Sequence, residues 1–334
     1  MAKNKVLFLC RVSDYNFQYG GAKPTGLRNS ALFCAQALAS HGIPAYMEVV
    51  NDGNDVDREV SRYQPTHVVI EALWVTPAKL TELINLHPLV TWIVRLHSEM
   101  PFLSYEGIAM EWLMEYSRLR NVYVSSNSRR LCEELHTVLG RGARLLHLPN
   151  CYQITPTQGY QRSDGAIHIG CFGAIRPMKN QLLQAVAAIA FANSIGRILV
   201  FHMNGDRIEG GTPAKRNLIA LFDNSRHTLK FHPWMEHNEF LCLLSTLDIG
   251  MQLSLSETFN IVAADCVVAG LPIVVSGEVH WASVMSKATP TDSAGIVRAL
   301  GLVWRHRWLN TVLNLRVLKA QCRKAERIWI NYFE

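Results

Sequence analysis

Apolar runs and helical stretches alternate along this chain, and that alternation limits its fold more than any other feature. Short runs rich in Val, Ile and Leu ("KVLFLC", "AYMEVV", "HVVIEAL", "LVTWIVRLH", "NVYVSS", "ARLLHLP") are separated by stretches of helical period ("NSALFCAQALASHG", "DVDREVSRY", "PAKLTELINLH", "GIAMEWLMEYSRLR", "NSRRLCEELHTVLG"). An apolar run without polar alternation reads as a strand buried on both faces, and a helix between consecutive strands is the crossover a parallel pair needs. The pattern predicts a parallel sheet covered by helices. Near Asn150 it stops, because "NCYQITPTQGYQRSDG" is polar, holds Pro and Gly and has no period, as a linker would. It then resumes with "AIHIGCFG", "RILVFHMN", "TLKFHPW", "DIGMQLSL" and "LPIVVS", the first four each followed by a helix-like segment. Two doubly wound α/β domains are expected, over 1–150 and 166–315, with a linker over 151–165 and a terminal helix over 316–334. A chain of 334 residues that is 49% hydrophobic can fill two such cores.

Several classes are disfavoured. No run of about 18 apolar residues occurs, so no membrane-spanning helix is expected. The basic and then apolar start, "MAKNKVLFLCRV", lacks a small-residue cleavage site and reads as a first strand rather than a secretion signal. The eight cysteines are scattered, with no C-x-x-C pair, and most lie in apolar runs. Reduced, buried thiols in a cytoplasmic protein are expected, rather than a zinc site or a disulfide framework. Thirteen histidines include no H-E-x-x-H or similar cluster, so no metal ligands are assigned. Lys and Arg number 33 against 27 acids, a net charge of +6, and much of the excess falls in "VWRHRW" and "LRVLKAQCRKAER". That mild bias suits a polyanionic partner or a phosphorylated substrate without requiring either.

Ligands of open α/β sheets bind beyond the C-terminal ends of the strands, so the chemistry is sought in strand-end loops. The first strand of the second domain runs into "GCFGAIRPMKNQLLQA". Gly170 and Gly173 allow close backbone approach, and Arg176 and Lys179, with Asn180 at the start of a helix, would receive a diphosphate. Ordinary surface charges on a solvated loop are the bland alternative. The first strand of the N-terminal domain leads into a loop with Gly20 and Gly21, Pro24 and Gly26, without a G-x-G-x-x-G fingerprint. In "LSLSETFNIVAADCVVAGLPIVVS", Glu257 follows a strand and is placed to accept hydrogen bonds from sugar hydroxyls. Thr258, Phe259 and Asn260 are expected as the first helical residues, offering free N–H groups. Asp265 lies about two turns on, within an apolar helix, and suits the hydroxyls of a ribose. A helix-start acid and a satisfied buried carboxylate are the alternatives.

Taken in order, the Gly-Gly loop, "RLHSEMPF", "LPN", "GAIRPMKN" and "SETFNIVAADCVVAGLPIVVS" resemble the retaining nucleotide-sugar glycosyltransferases of the GT-B fold, of the family 4 type, over nearly the whole chain. The resemblance implies two Rossmann-like domains facing a central cleft, the first for the acceptor and the second for the donor. It implies that Glu257 holds the transferred sugar and Asp265 the nucleotide ribose, with Asp standing where the family usually has Glu. Arg176 and Lys179 would neutralise the diphosphate, Gly20 and Gly21 would approach the same phosphates, and His97 would lie near sugar and acceptor. Trp234, in "FHPWMEHNEF", is the candidate wall for the base.

The implied activity is metal-independent transfer with retention from a nucleoside-diphosphate sugar, a UDP-sugar being favoured, with no cofactor. The implied route is front-face, so Glu257 is not assigned as a covalent nucleophile. The words "TGLRNSALFCAQAL", "VVIEALWVTPAKLTEL" and "RLHSEMPFLSYEGIAMEWL" resemble a group found in bacteriophage genomes. That implies a hydroxymethylated base of phage DNA as acceptor and the host cytoplasm as location. Two alternatives remain open: transfer to a lipid-linked or surface saccharide, and a non-catalytic module that binds a sugar nucleotide or nucleic acid. No integral membrane association is expected. The helical tail ending in "RIWINYF" is expected to return to the first domain, with Trp329 in a structural role.

Overall fold

The computed structural model describes residues 4–12, 26–140, 142–154 and 164–334. The chain divides into two compact units, one of Met1–Gln153 with Cys322–Glu334, the other of Ile154–Gln321.

The first unit holds strands β1 (Val6–Arg11), β2 (Ala45–Val50), β3 (His67–Glu71), β4 (Thr91–Leu96), β5 (Val122–Ser126) and β6 (Leu145–His147). They form a parallel sheet in the order β2-β1-β3-β4-β5-β6. The described helices between them are α1 (Gly26–Ser40), α2 (Asp55–Tyr63), α3 (Pro77–Leu86), α4 (Met100–Leu103), α5 (Ala109–Arg118) and α6 (Arg129–Leu139). Leu7, Leu9, Val68, Ile70, Trp92 and Val94 are buried in one core with Leu80, Leu83 and Leu113 of the helices. The start of α3 is fixed locally, since Thr76 accepts from the Lys79 N–H at 3.1 Å, a cap worth about 1 kcal/mol.

The second unit holds β7 (Ile167–Gly170), α7 (Gln181–Ser194), β8 (Leu199–Asn204), α8 (Thr212–Asp223), β9 (Thr228–His232), α9 (His237–Leu244), β10 (Ile249–Gln252), α10 (Ile261–Val268), β11 (Ile273–Ser276), the two-residue β12 (Lys287–Ala288) and α11 (Ser293–Arg305). Its parallel sheet runs β12-β11-β10-β7-β8-β9, which, counted from its own first strand, is the 3-2-1-4-5-6 order of dinucleotide-binding folds. The last helix, α12 (Arg307–Phe333), begins in the second unit, and its residues from Cys322 onward belong to the first. There Trp329 is fully buried, stacks on Phe333 with Phe8 tilted against it, and donates from Nε1 to the Pro149 carbonyl at 2.7 Å.

The eleven apolar runs of the sequence are β1–β11. One local expectation fails. Thr258, Phe259 and Asn260 precede α10, which begins at Ile261. Asn260 takes a left-handed φ of 57°, and its side chain accepts from the Ala263 N–H at 2.9 Å, so it caps the helix from outside. The two helical turns expected between Glu257 and Asp265 therefore do not apply, since Glu257 lies in the loop before α10. Of the eight cysteines only Cys242 is exposed, and none is in a disulfide. Among the described residues no helix is long and apolar enough to cross a membrane, and no group of three or more His, Cys, Asp or Glu is placed to hold a metal ion.

Candidate functional site

In the second unit the strand order reverses between β7 and β10, which are neighbours in the sheet although β8 and β9 intervene in sequence. A crevice forms beyond the carboxyl ends of strands at such a point, because the loops on either side leave in opposite directions. The loops leaving β7 and β10 carry the two most specific sequence motifs. They are tied together by the Leu255 N–H donating to the Met178 carbonyl at 2.8 Å, and by Asn180, whose side chain donates to the carbonyls of Leu253 (3.2 Å) and Pro290 (2.7 Å). Lys179 and Glu257, far apart in sequence, are joined there in an ion pair.

The loop after β10 is clamped at both ends. The Gln252 side chain donates to the Phe172 carbonyl at 3.0 Å and accepts from Asn260 at 3.1 Å, while Asn260 caps α10. Phe259 is buried, its ring 5.8 Å from that of Trp281, and its carbonyl accepts from Trp281 Nε1 at 2.6 Å. Thr258 is half-buried beside it. In the same loop the hydroxyls of Ser254 and Ser256 are buried and have no hydrogen-bond partner among the described residues. Such orphaned groups are uncommon and each costs about 1–3 kcal/mol.

Arg176 is joined to a different acid. It pairs with Glu209, which also takes Arg207 Nε at 2.5 Å. The loops after β7 and β8 run side by side here, with the Ile175 N–H donating to Arg207 and the Glu209 N–H to Ile175, both at 2.9 Å. Gly211 makes this approach possible, because a Cβ there would stand 2.2 Å from the Ile175 oxygen. Gly173 holds φ at +114°, where a side chain is strained, and its N–H donates to Asn204 Oδ1 at 2.9 Å. Trp234, half-buried after β9, has the Arg207 guanidinium 5.0 Å from its ring centroid, and its N–H donates to Asp206 at 2.8 Å. The loops thus offer three cations (Arg176, Lys179, Arg207) and three carboxylates (Asp206, Glu209, Glu257), and an incoming anion must compete with Glu209 and Glu257 for their partners.

Asp265 is 4% exposed, in the second turn of α10. His237, the first residue of α9, meets its Oδ1 through Nε2 at 2.8 Å. That hydrogen bond raises the His237 pKa above its ordinary value, against the opposing effect of burial.

In the first unit His97 follows β4 and is part of a buried polar network. Glu71 and Arg95, both fully buried, are direct partners in the β3–β4 register. Arg95 donates from Nη1 to both Glu71 oxygens at 3.0 Å, from Nε to the Leu148 carbonyl at 2.9 Å and from Nη2 to Asn150 at 2.6 Å. His97 Nε2 meets the second Glu71 oxygen, and Asn127 bridges from Asn150 (3.1 Å) towards His97 Nδ1 (3.4 Å). Burial pushes the Glu71 carboxyl up, but Arg95 and His97 more than reverse this and leave it below its ordinary value. Burial lowers His97 more than Glu71 raises it, with Arg95 adding to the fall. The consistent state is an ionised Glu71 beside a neutral His97 that donates from Nε2. Next to Glu71, at the point where the order of this sheet reverses, Ala72 takes a φ of 73°, a left-handed conformation that costs a non-glycine residue of order 1 kcal/mol or more.

The structure therefore joins Lys179 to Glu257 and surrounds His97 with Glu71, Arg95 and Asn127. Arg176 and Asp265 have partners of their own, and Gly20 and Gly21 lie outside the described residues. Sequence reasoning missed Glu71, Arg95, Arg207, Glu209 and His237. Glu71 and Arg95 did leave a signal, for each is a charge inside an apolar strand, in "HVVIEAL" and "TWIVRLH".

No family model matches this chain, and no curated protein matches it in sequence. Solved structures do. HepE of Anabaena, in complex with UDP and glucose, superposes with a TM-score of 0.64 at 15% identity, covering 98% of each chain. Sucrose-phosphate synthase of Thermosynechococcus elongatus gives 0.68 at 13% identity, over 99% of this chain and 97% of that one. The trehalose-6-phosphate synthase OtsA gives 0.67 at 10% identity, over 99% and 97%. The fold is GT-B, with two Rossmann-like α/β units.

Proposed function

We propose that the chain is a glycosyltransferase that takes a sugar from a nucleoside-diphosphate sugar, a UDP-sugar in the first instance, and moves it with retention and without a metal to an acceptor hydroxyl. The observation that carries this reading is the Lys179–Glu257 pair at the switch point of a sheet with the dinucleotide-binding order. The cation meets charge developing on the leaving diphosphate, and the carboxylate accepts from sugar hydroxyls. The buried, unpartnered hydroxyls of Ser254 and Ser256 in the same loop support a ligand rich in hydrogen-bonding groups. HepE, whose structures hold UDP, UDP with glucose, and UDP-glucose, shares the fold and supports the choice of donor.

Within this reading Arg176 joins Lys179 at the diphosphate, Asp265 takes the ribose and Trp234 walls the base. His97, neutral and fixed by Glu71, is the first unit's candidate for the acceptor side. For the acceptor, the phage-like text of the first unit supports a hydroxymethylated base of DNA. A lipid-linked or surface saccharide is the second reading, and the exposed Trp308, Arg316 and Lys319 of α12 favour it.

The test is calorimetric titration with UDP and UDP-glucose, followed by release of UDP with and without each acceptor class. Lys179→Ala is expected to cut turnover by about 10²–10³-fold. Glu209→Gln, which removes a competitor for Arg176 and Arg207, should tighten UDP binding by up to about fivefold. No binding of any nucleotide or sugar nucleotide, or a Lys179→Ala variant with unchanged turnover, would refute the proposal.

A further inference from the structure

Between Asp292 and Glu326 the chain has no acidic residue but seven basic ones: Arg298, Arg305, Arg307, Arg316, Lys319, Arg323 and Lys324. That local excess of seven is larger than the net charge of +6 of the whole chain. Its part within the second unit has a fixed orientation. Asn310 and Asn314, one turn apart on α12, are fully buried. Asn310 exchanges hydrogen bonds with the backbone of Ile273 (2.9 and 3.2 Å), and Asn314 accepts from the Ser283 N–H (3.0 Å) and donates to the Ser286 hydroxyl (2.7 Å).

With that face held inward, positions 308 and 309 and then 312, 316 and 319, which follow at steps of three and four, line the opposite side, and all five are exposed. Trp308 is 76% exposed, Val312 42% and Leu309 40%. Arg316 and Lys319 follow one and two turns further on, and Arg305 precedes the helix. Arg307 is engaged elsewhere, 3.6 Å from Asp248 and with its guanidinium 4.4 Å from the Trp304 ring centroid. Arg305, Arg316 and Lys319 make no ion pair with any described residue.

An exposed tryptophan with two aliphatic neighbours is costly in water, and a purely electrostatic partner would leave it there. A helix with an apolar centre between cations fits a surface that is apolar beneath and anionic on top. Indole and aliphatic side chains enter the headgroup boundary while lysine and arginine meet lipid phosphates. We propose that Arg305, Trp308, Leu309, Val312, Arg316 and Lys319 form a docking surface for an anionic phospholipid bilayer, with α12 lying in the plane of the interface. The inference goes beyond the donor chemistry and does not rest on it.

The full chain is mixed with vesicles of phosphatidylcholine alone, or of phosphatidylcholine with about a third phosphatidylglycerol, and sedimented. Binding to the anionic vesicles only, weakened by salt, is expected. Arg316→Gln with Lys319→Gln should lower the partition coefficient about 25-fold, at roughly fivefold per charge. Trp308→Ser should weaken binding and remove the blue shift of tryptophan emission. These side chains are exposed, so the variants should keep the melting temperature of the parent, which is measured alongside. The proposal is overturned by equal binding to both vesicle types, by no binding, or by variants that bind like the parent. It is equally overturned by salt-sensitive binding to duplex DNA without vesicle binding, or by a dimer that Trp308→Ser dissolves while vesicles are ignored.

Discussion

Replacing Glu71 by leucine tests the account of the first unit most directly. Glu71 and Arg95 are both 0% exposed, and Arg95 donates to both carboxylate oxygens at 3.0 Å. Removing one partner of a buried ion pair costs about 3–5 kcal/mol, because the other charge stays desolvated. Arg95 would keep its bonds to Leu148 (2.9 Å) and Asn150 (2.6 Å), which places its share near the lower end. His97 also loses its acceptor, adding about 1 kcal/mol. The expected loss is therefore about 4 kcal/mol, or roughly 8–16 °C in the melting temperature of a unit this size. Calorimetry with urea titration measures it. A second variant separates the unpaired charge from simple loss of packing: Glu71→Leu combined with Arg95→Met should recover most of the loss, since a well-packed apolar pair can replace a buried ionic one at little cost. A loss below about 1 kcal/mol in the single variant, the range of exposed ion pairs, would refute a buried unsolvated pair. The pH dependence has a definite sign. The pKa values of Glu71 and His97 are both depressed in the folded chain, so both contributions are present above their unfolded values, ordinarily 4.5 and 6.5. Stability of this unit should fall as pH drops below 6.5, and fall further through the carboxylate range.

Two further outcomes are expected in the second unit. The His237 pKa is raised by the Asp265 hydrogen bond, so its contribution to stability is present below 6.5 and is lost as pH rises through the folded value. An imidazole titration followed by NMR should show it return towards 6.5 in Asp265→Asn, and an unchanged titration would break the assigned pair. Gly211→Ala should cost about 1–3 kcal/mol, as overpacking does, because its Cβ meets the Ile175 oxygen at 2.2 Å, and it should weaken UDP binding by shifting Arg176 and Glu209. A variant as stable as the parent would show that the two loops do not approach so closely.

The sequence by itself determined the two sheets. Buried parallel strands read as unbroken apolar runs, which is a local signal, and "KVLFLC" through "LPIVVS" became β1–β11. It also marked Arg176, Lys179, Glu257 and Asp265, because charge at strand ends or inside an apolar helix is legible without coordinates. The partners were not legible. Glu71 meets Arg95 only through the β3–β4 register, and Lys179 meets Glu257 only because the strand order sets β7 beside β10. The helix expected at Thr258 starts at Ile261, since a single capping asparagine in a left-handed conformation resets the boundary. Charge excess near the C-terminus was visible in composition, but whether it faced water or the core was decided by Asn310 and Asn314. Periodicity reports which way each residue leans relative to its neighbours in sequence. Pairing of groups distant in sequence is set by register, strand order and helix rotation, which exist only once the sheets have formed.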